Sequence, residues 1–445
     1  MKLPKKNNFN KIIIIISFFF LTACSRTPQR LYYLVKHCNN YKESTDISDT
    51  ANLRNLLEKD EELKFREGNK LTILQTGEKV LARKMELIKN AKKEICIDQY
   101  IFRKDEVGLE FFKILEEKAQ AGVKVRIIID NIGSFKPTAY FSKRLKYTKL
   151  QVRLFNPLFW WSIVKINNRN HNKILIVDQN IAIVSGIGLG KEYKFWRDIG
   201  VEIEGPVIYD IQKKFEDTWI KAGYGWFGKD LPIPVINAVK LEIDKLFYKK
   251  NITDADILKQ EKDGKLARYL FTTAEYSDRI AFESFLKVIN SSKKNIYITN
   301  AYFMPNIILR NALINAVKRG VNVKIILPSK SDLPFLRRSS QMYYKTLLEN
   351  GIEIYELQDN ILHAKYMIVD DIWATIGSTN FLDRSFFCNI EANIEVLDEN
   401  FASALKKIFL EDLEHSKIIT LEDWKNRSFS EKLQDYLFLP TILLY

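Results

Sequence analysis

The sequence predicts an α/β protein built from two halves that repeat one another. Strand-like apolar runs alternate with segments of helical periodicity, which implies sheets covered by helices. The order of those segments is replayed at a near-constant distance further along the chain. One pattern also occurs twice: His171, Lys173 and Asp178 in HNKILIVD, and His363, Lys365 and Asp370 in HAKYMIVD.

The elements follow in order. After a helix expected near Ala51–Lys64, Leu71–Gln75 reads as a strand, Val80–Ala91 as a helix and Glu94–Tyr100 as a strand. Leu109–Ala121 has helical periodicity, and Gly122 ends it before the apolar run Val123–Ile129. In the second half, Asn295–Asn300 answers Glu94–Gln99, Leu309–Arg319 answers the helix after it, and Gly320–Ile326 answers Gly122–Ile128. The offsets are 201, 198 and, for the histidines, 192, the mark of a duplication with small loop differences. The expected division is a leader over 1–23, a tether and lead-in over 24–69, a first domain over 70–223, an inter-domain segment over 224–265, a second domain over 266–428 and an apolar tail over 429–445.

Spacing supplies the chemistry. Side chains two apart on a strand share a face, so each histidine is placed beside its lysine. A neutral imidazole can attack phosphorus or take a proton, and an ammonium beside it can hold a phosphate oxygen. Each pair is half of a phosphodiesterase site. At ordinary residue frequencies a histidine meets both the Lys and Asp positions by accident about one time in a hundred. Two of only four histidines do so here; His37 and His415 lack such neighbours. Asp178 and Asp370 lie at an odd offset from their histidines and precede turn-forming residues, so they are expected to close hairpins rather than to reach phosphate.

The repeat nominates further residues. Asp198 lies 27 residues after the first histidine and Glu391 lies 28 after the second. A carboxylate bonded to one ring nitrogen fixes the tautomer and stabilises the imidazolium, and Asp198 and Glu391 are expected to do this. Ser378 and Asn380 share a face in an extended segment and are expected to donate to phosphate oxygens. The aligned first-half positions, in Ser185-Gly186-Ile187-Gly188, lack both groups, so phosphate holding leans on the second half.

The chain has 445 residues, 46% of them hydrophobic, enough for two domains with real cores. Its formal charge is +14, and removing the four leader lysines, Lys2, Lys5, Lys6 and Lys11, leaves +10. That balance favours anionic partners, phospholipid headgroups or nucleic acid. The lysine-bearing start, the apolar run Ile12–Phe20 and Leu21-Thr22-Ala23-Cys24 read as a secretory signal, too short to be an ordinary membrane span. Cys38, Cys96 and Cys388 form no CxxC or Cys/His cluster, so no zinc is expected. Phe155–Trp161, with Lys165 and Arg169 after it, and Tyr224–Lys250 set aromatics beside basic residues; they suit a headgroup interface and equally a cap on the domain interface.

With these residues in place, the chain resembles the phospholipase D superfamily, whose signature is a duplicated HxKxxxxD motif, and within it bacterial cardiolipin synthases. The similar stretches are IDQYIFRKDEVG, GVKVRIIIDNIGS and WRDIGVEIEGPV, then NAYFMPN, GVNVKIILPSKSD, LHAKYMIVD and GSTNFLDRSFFCNIEANIEV. The likeness runs from about Leu71 to Arg427. It implies two phospholipase D-like α/β/α halves about a pseudo-twofold, with the active site at their interface. It implies a two-step reaction through a phosphohistidine, without metal or other cofactor. His171 is then the nucleophile and His363 the general acid and base, with Lys173, Lys365, Ser378 and Asn380 on phosphate and Asp198 and Glu391 orienting the rings. The LTAC ending resembles the lipobox of bacterial lipoproteins, which makes Cys24 a lipidated N-terminus and places the protein at a bacterial membrane, facing the periplasm or exterior. In two respects the chain departs from the family pattern: Gly188 stands where the first half usually has asparagine, and a lipoprotein-type leader replaces two membrane spans.

The expected function is a membrane-tethered phosphatidyltransferase that moves phosphatidyl from phosphatidylglycerol to a second phospholipid at an anionic membrane. The rivals are a phospholipase D using water and, disfavoured by the leader, a nuclease acting on nucleic acid.

Overall fold

The computed structural model describes residues 50–58, 63–134, 145, 148–156, 168–222, 264–273 and 280–432. The leader, Cys24, His37, Cys38, Lys165, residues 157–161 of the aromatic stretch, the segment 224–250 and the tail Tyr436–Tyr445 lie outside them.

The first half contributes strands β1 (Arg66–Leu74), β2 (Glu94–Gln99), β3 (Lys124–Asp130), β4 (Gln151–Phe155), β5 (Arg169–Asn170), β6 (Lys173–Val177), β7 (Ile181–Ser185) and β8 (Gly200–Glu204). The second contributes β9 (Lys265–Phe271), β10 (Asn295–Thr299), β11 (Asn322–Pro328), β12 (Glu353–Leu357), β13 (Tyr366–Val369), β14 (Trp373–Gly377), β15 (Asn389–Ile390), β16 (Ala392–Leu397) and β17 (Ser416–Ile419). All but β5 and β15 join in one 15-stranded sheet, ordered β17-β12-β11-β10-β13-β14-β16-β9-β1-β8-β7-β6-β2-β3-β4. Read outward from the antiparallel β9–β1 pair, the two sides carry matching strands in matching order, and β17 is an addition. The repeat inferred from offsets is thus a mirrored strand order about one seam. At that seam the backbones come close: a Cβ on Gly264 would lie 2.4 Å from Gly68 Cα, so a side chain there would drive the halves apart.

The helices pack in three layers. α1 (Thr50–Leu57) precedes the sheet; α2 (Gly77–Asn90) and α3 (Glu106–Gln120) cover the outer face of the first half. α4 (Ile208–Lys221) closes that half, and in the second half α5 (Ile280–Ser291) and α6 (Ile307–Lys318) repeat α2 and α3, with short helices α7 (Pro334–Gln341), α8 (Tyr344–Glu349) and α9 (Asp383–Phe387) after them. α10 (Glu399–Glu414) repeats α4, and α11 (Leu421–Lys425) follows. Phe215 and Trp219 of α4 and Phe401, Leu405 and Phe409 of α10 join the inward residues of both halves, among them Val184, Val201, Ile376 and Ile394, in one shared core. Helix ends are set locally. Asp105 accepts from Gly108 N at the start of α3, and Gly122 and Gly320 sit at positive φ just past α3 and α6.

The lead-in is less separate than the sequence suggests. α1 is shorter than expected, and Leu53, Leu57 and Phe65 are buried in the core of the second half, where Arg268 donates to Leu57 O at 2.9 Å. The strand β1 also starts at Arg66, ahead of the expected Leu71.

Asp178 and Asp370 open three-residue hairpin loops. Asp178 and Gln179 have φ of 50° and 59°, Asp370 and Asp371 have 54° and 60°, the left-handed pair that a tight hairpin needs. Each carboxylate also accepts three backbone N–H groups, Asp178 from Lys92, Lys93 and Glu94, and Asp370 from Lys293, Lys294 and Asn295. They clamp the start of β2 and β10 a strand length away from the histidines. Asp370→Asn keeps a residue tolerant of the turn but removes the charge from three donors. It should lower stability by about 1–2 kcal/mol, read as a lower urea midpoint; an unchanged midpoint would rule the clamp out.

Candidate active site

Two short backbone crossings build the site. β5, which ends just before His171, pairs in parallel with β15, which ends just before Glu391. Arg197, just before Asp198, bridges Leu362, just before His363. His171 N donates to Ile390 O and His363 N to Arg197 O, both at 2.8 Å. Each crossing therefore delivers the histidine of one half against the carboxylate of the other.

His171 Nδ1 lies 2.8 Å from Glu391 Oε2, and His363 Nδ1 lies 2.6 Å from Asp198 Oδ2. Both carboxylates are fully buried and acceptor-only when ionised, so each ring carries its proton on Nδ1 and leaves the Nε2 lone pair for chemistry. Burial pulls the His171 pKa down to about 4 despite the opposing charge of Glu391, and burial, with Lys365, pulls His363 down as well. Both imidazoles are neutral at neutral pH. Lys173 and Lys365 each donate to the carbonyl of their own histidine, His171 O and His363 O. Burial pulls Lys365 to about 8 and Lys173 well below its ordinary value. Lys365 depresses Lys173 across the interface, and Glu391 and Asp198 pull both lysines the other way. The six groups form one electrostatic unit.

The halves differ in how the carboxylates are held. The sequence reading puts Ser378 on phosphate; its hydroxyl proton instead goes to Glu391 Oε2 at 2.6 Å, while Ser385 and Asn389 donate to Oε1. Ser378 is thus committed to the carboxylate. Asn380 Oδ1 is buried with no hydrogen-bond partner, a state that costs about 1–3 kcal/mol until a ligand supplies one. Turning the amide over would present Nδ2 to an anion at the same place. In the first half, a Cβ on Gly186 would lie 2.6 Å from Asp198 Oδ1, and one on Gly188 would lie 2.5 Å from the Tyr193 ring. Asp198 and Tyr193 fill the space that serine and asparagine side chains occupy in the second half.

Aromatic rings wall the site. Tyr100 meets His171 edge-on at 4.9 Å and Tyr302 meets His363 at 6.1 Å, while Trp196 lies 5.0 Å from His363. Lys173 and Lys365 sit over the Tyr100 and Tyr302 rings, at 5.5 and 5.9 Å. Sequence reasoning missed both tyrosines as site residues. The signal was present in IDQYIF and TNAYF, where they stand 202 residues apart, near the repeat offset. Asp332, which accepts from Tyr302 Oη at 2.7 Å, has no such signal. His415 is exposed and paired with Asp359, away from the cleft. Cys96 is buried, and among the described residues no group of three or more His, Cys, Asp or Glu is arranged to hold a metal ion.

With the geometry established, the chain can be set beside known proteins. A family profile described as "Cardiolipin synthase, PLD-like domain" matches residues 85–219 and 285–413, one stretch in each half. Cardiolipin synthase 1 of Staphylococcus epidermidis is 30% identical over 410 residues, 90% of this chain and 79% of that one. Cardiolipin synthase of Clostridium perfringens is 32% identical over 354 residues, 78% and 71% of the two chains. Among solved structures, phosphatidylserine synthase of Haemophilus influenzae Rd KW20 shares the fold with a TM-score of 0.68 at 16% identity, covering 89% of this chain and 98% of that one. The profile match in both halves, over most of the folded chain, and the paired motifs place this chain in the phospholipase D superfamily, as a member of its cardiolipin synthase-like family.

Proposed function

We propose that the chain is a phosphatidyltransferase that works through a phosphohistidine and makes cardiolipin from two molecules of phosphatidylglycerol. The observation that carries this reading is the pair of imidazole–carboxylate contacts across the interface, each backed by a lysine. His171 Nε2 attacks phosphorus while the bond to the glycerol headgroup breaks, and His363, which takes up a proton as the phosphodiester anion binds beside it, gives that proton to the departing alkoxide. Free glycerol leaves, and the phosphatidyl group stays on His171. His363 then takes the proton from a hydroxyl of the second phosphatidylglycerol, whose oxygen attacks phosphorus and releases His171. Lys173, Lys365 and Asn380 hold the phosphate oxygens, and Glu391 and Asp198 support positive charge on the rings as it develops. His171 suits the nucleophile's part because its ring is held neutral, down to about pH 4.

Phospholipid is the substrate class favoured by the surroundings of the cleft. Phe195, 66% exposed, adjoins Trp196; Leu333 adjoins Asp332; Ile132 follows the Asp130–Asn131 turn whose aspartate accepts from Asn170 N beside His171. Exposed apolar side chains next to cleft-wall residues suit a lipid surface. No helix among the described residues is long and apolar enough to cross a membrane, and a lipid on Cys24 would supply the tether in this proposal.

Lipid extracts from cells expressing the protein should gain cardiolipin, and cells expressing His171→Ala should not; a gain in phosphatidic acid alone would make water the acceptor. In the same cells a radioactive fatty acid should label the wild type and not Cys24→Ala. Lys365 must be cationic to hold phosphate, so kcat/KM should fall as pH rises through about 8, where the amine loses its proton. The kcat limb should lie higher, because a bound phosphodiester anion favours the ammonium. Coincident limbs would separate Lys365 from phosphate. Phe195→Ser should reduce turnover of vesicle phospholipid several-fold and leave a soluble short-chain phospholipid nearly unaffected; equal losses on both would remove the membrane role of that side chain.

A further inference from the structure

Lys84 has no part in the chemistry described so far, yet it is among the most deeply buried cations of the chain, 2% exposed on α2. Its amine reaches Ser185 Oγ at 3.2 Å, at the end of β7. The next residue is Gly186, against whose backbone the Asp198 carboxylate lies, so amine and carboxylate flank the same two residues. Asp198, in the lead into β8, favours the charged form of Lys84, and Lys84 in turn disfavours the charged form of Lys173 on β6; β7 faces it with the neutral Ser185.

The second half has no counterpart. At the offset of 201 that relates β2 to β10, position 84 corresponds to Phe285, which packs on Trp373, Phe381 and Phe386. The carboxylates differ in the same sense. Glu391 is held by three neutral side-chain donors, Ser378, Ser385 and Asn389. Asp198 receives one backbone N–H, from Ile199 at 2.7 Å, besides its histidine, and no hydroxyl or amide side chain among the described residues.

We propose that Lys84 is a positioning residue that acts through Asp198: its ammonium supplies countercharge where the other half has neutral donors, and loosens the hold of Asp198 on a proton at His363. Asp198 also faces Lys365, Lys173 and Arg197, and each further cation beside a buried aspartate weakens its hold on the proton of its imidazole. That difference divides the labour. The histidine on Glu391 forms the bond to phosphorus, and the histidine on Asp198 gives and takes protons. The inference rests on the proposed phosphatidyl transfer for its meaning, but not for its test. Burial brings the Lys84 amine down to about 7, so it is cationic over the acidic range in which His363 titrates.

The test is a pH titration of the full chain labelled with ring-13C histidine, whose four histidines give a sparse spectrum assignable from His171→Ala and His363→Ala. In Lys84→Met the His363 resonance should titrate at higher pH than in the wild type, and His171 should not move. Lys84→Gln, whose polar end can still reach Ser185, should give the same shift if charge is the cause. Thermal unfolding of Lys84→Met should show a midpoint no lower than the wild type, because an apolar side chain fills the matching place in the other half. An unmoved His363 in either variant overturns the proposal, and a lowered midpoint with an unmoved His363 would leave Lys84 a packing residue. Since the titration needs no substrate, loss of the phosphatidyltransferase reading and loss of this one are read separately.

Discussion

The bond from each imidazole to the carboxylate of the opposite half is the constraint on which the site depends. A histidine and its carboxylate are 220 residues apart in one case and 165 in the other, so neither pair exists until both halves are folded and docked. The register is set just ahead of each pair, by a two-residue strand pairing in one case and a single bridge in the other. A slip of one residue there would turn each side chain to the opposite face and dissolve the pair. The seam between β1 and β9 and the shared core around α4 and α10 hold those crossings in place.

Burial does the electrostatic tuning. Two lysines, two histidines and two carboxylates share a space from which water is largely excluded, and desolvation is the largest influence on every one of the cations. The rings are kept neutral and the ammonium groups are made reluctant to hold their charge. A phosphodiester anion beside them would favour the charged forms again. The unpartnered amide oxygen of Asn380 belongs to the same logic.

The duplication is symmetric in its backbone and asymmetric in its chemistry. Strand order, helix caps, hairpin clamps and both tyrosines are repeated. Ser378, Asn380 and Phe285 are not; Gly186, Gly188 and Lys84 stand in their places. Two similar imidazoles are thereby given different neighbours, which a reaction needs if one ring is to carry phosphorus and the other a proton.

Much of this was written in the chain itself. Period-two spacing grouped His171 with Lys173 and His363 with Lys365, although the strands begin only at Lys173 and Tyr366; near-constant offsets exposed the repeat, and the odd offset of Asp178 and Asp370 marked them as turn residues, because turn chemistry is a local property. The offsets also singled out Asp198 and Glu391. Which ring each carboxylate serves was decided only by the docking of the halves, whereas the commitment of Ser378 to Glu391, the filling of the Gly188 space by Tyr193 and the placing of Lys84 behind Asp198 were decided by packing within one half. These are tertiary contacts, and no local pattern encodes which face meets which once the two halves close on a common core.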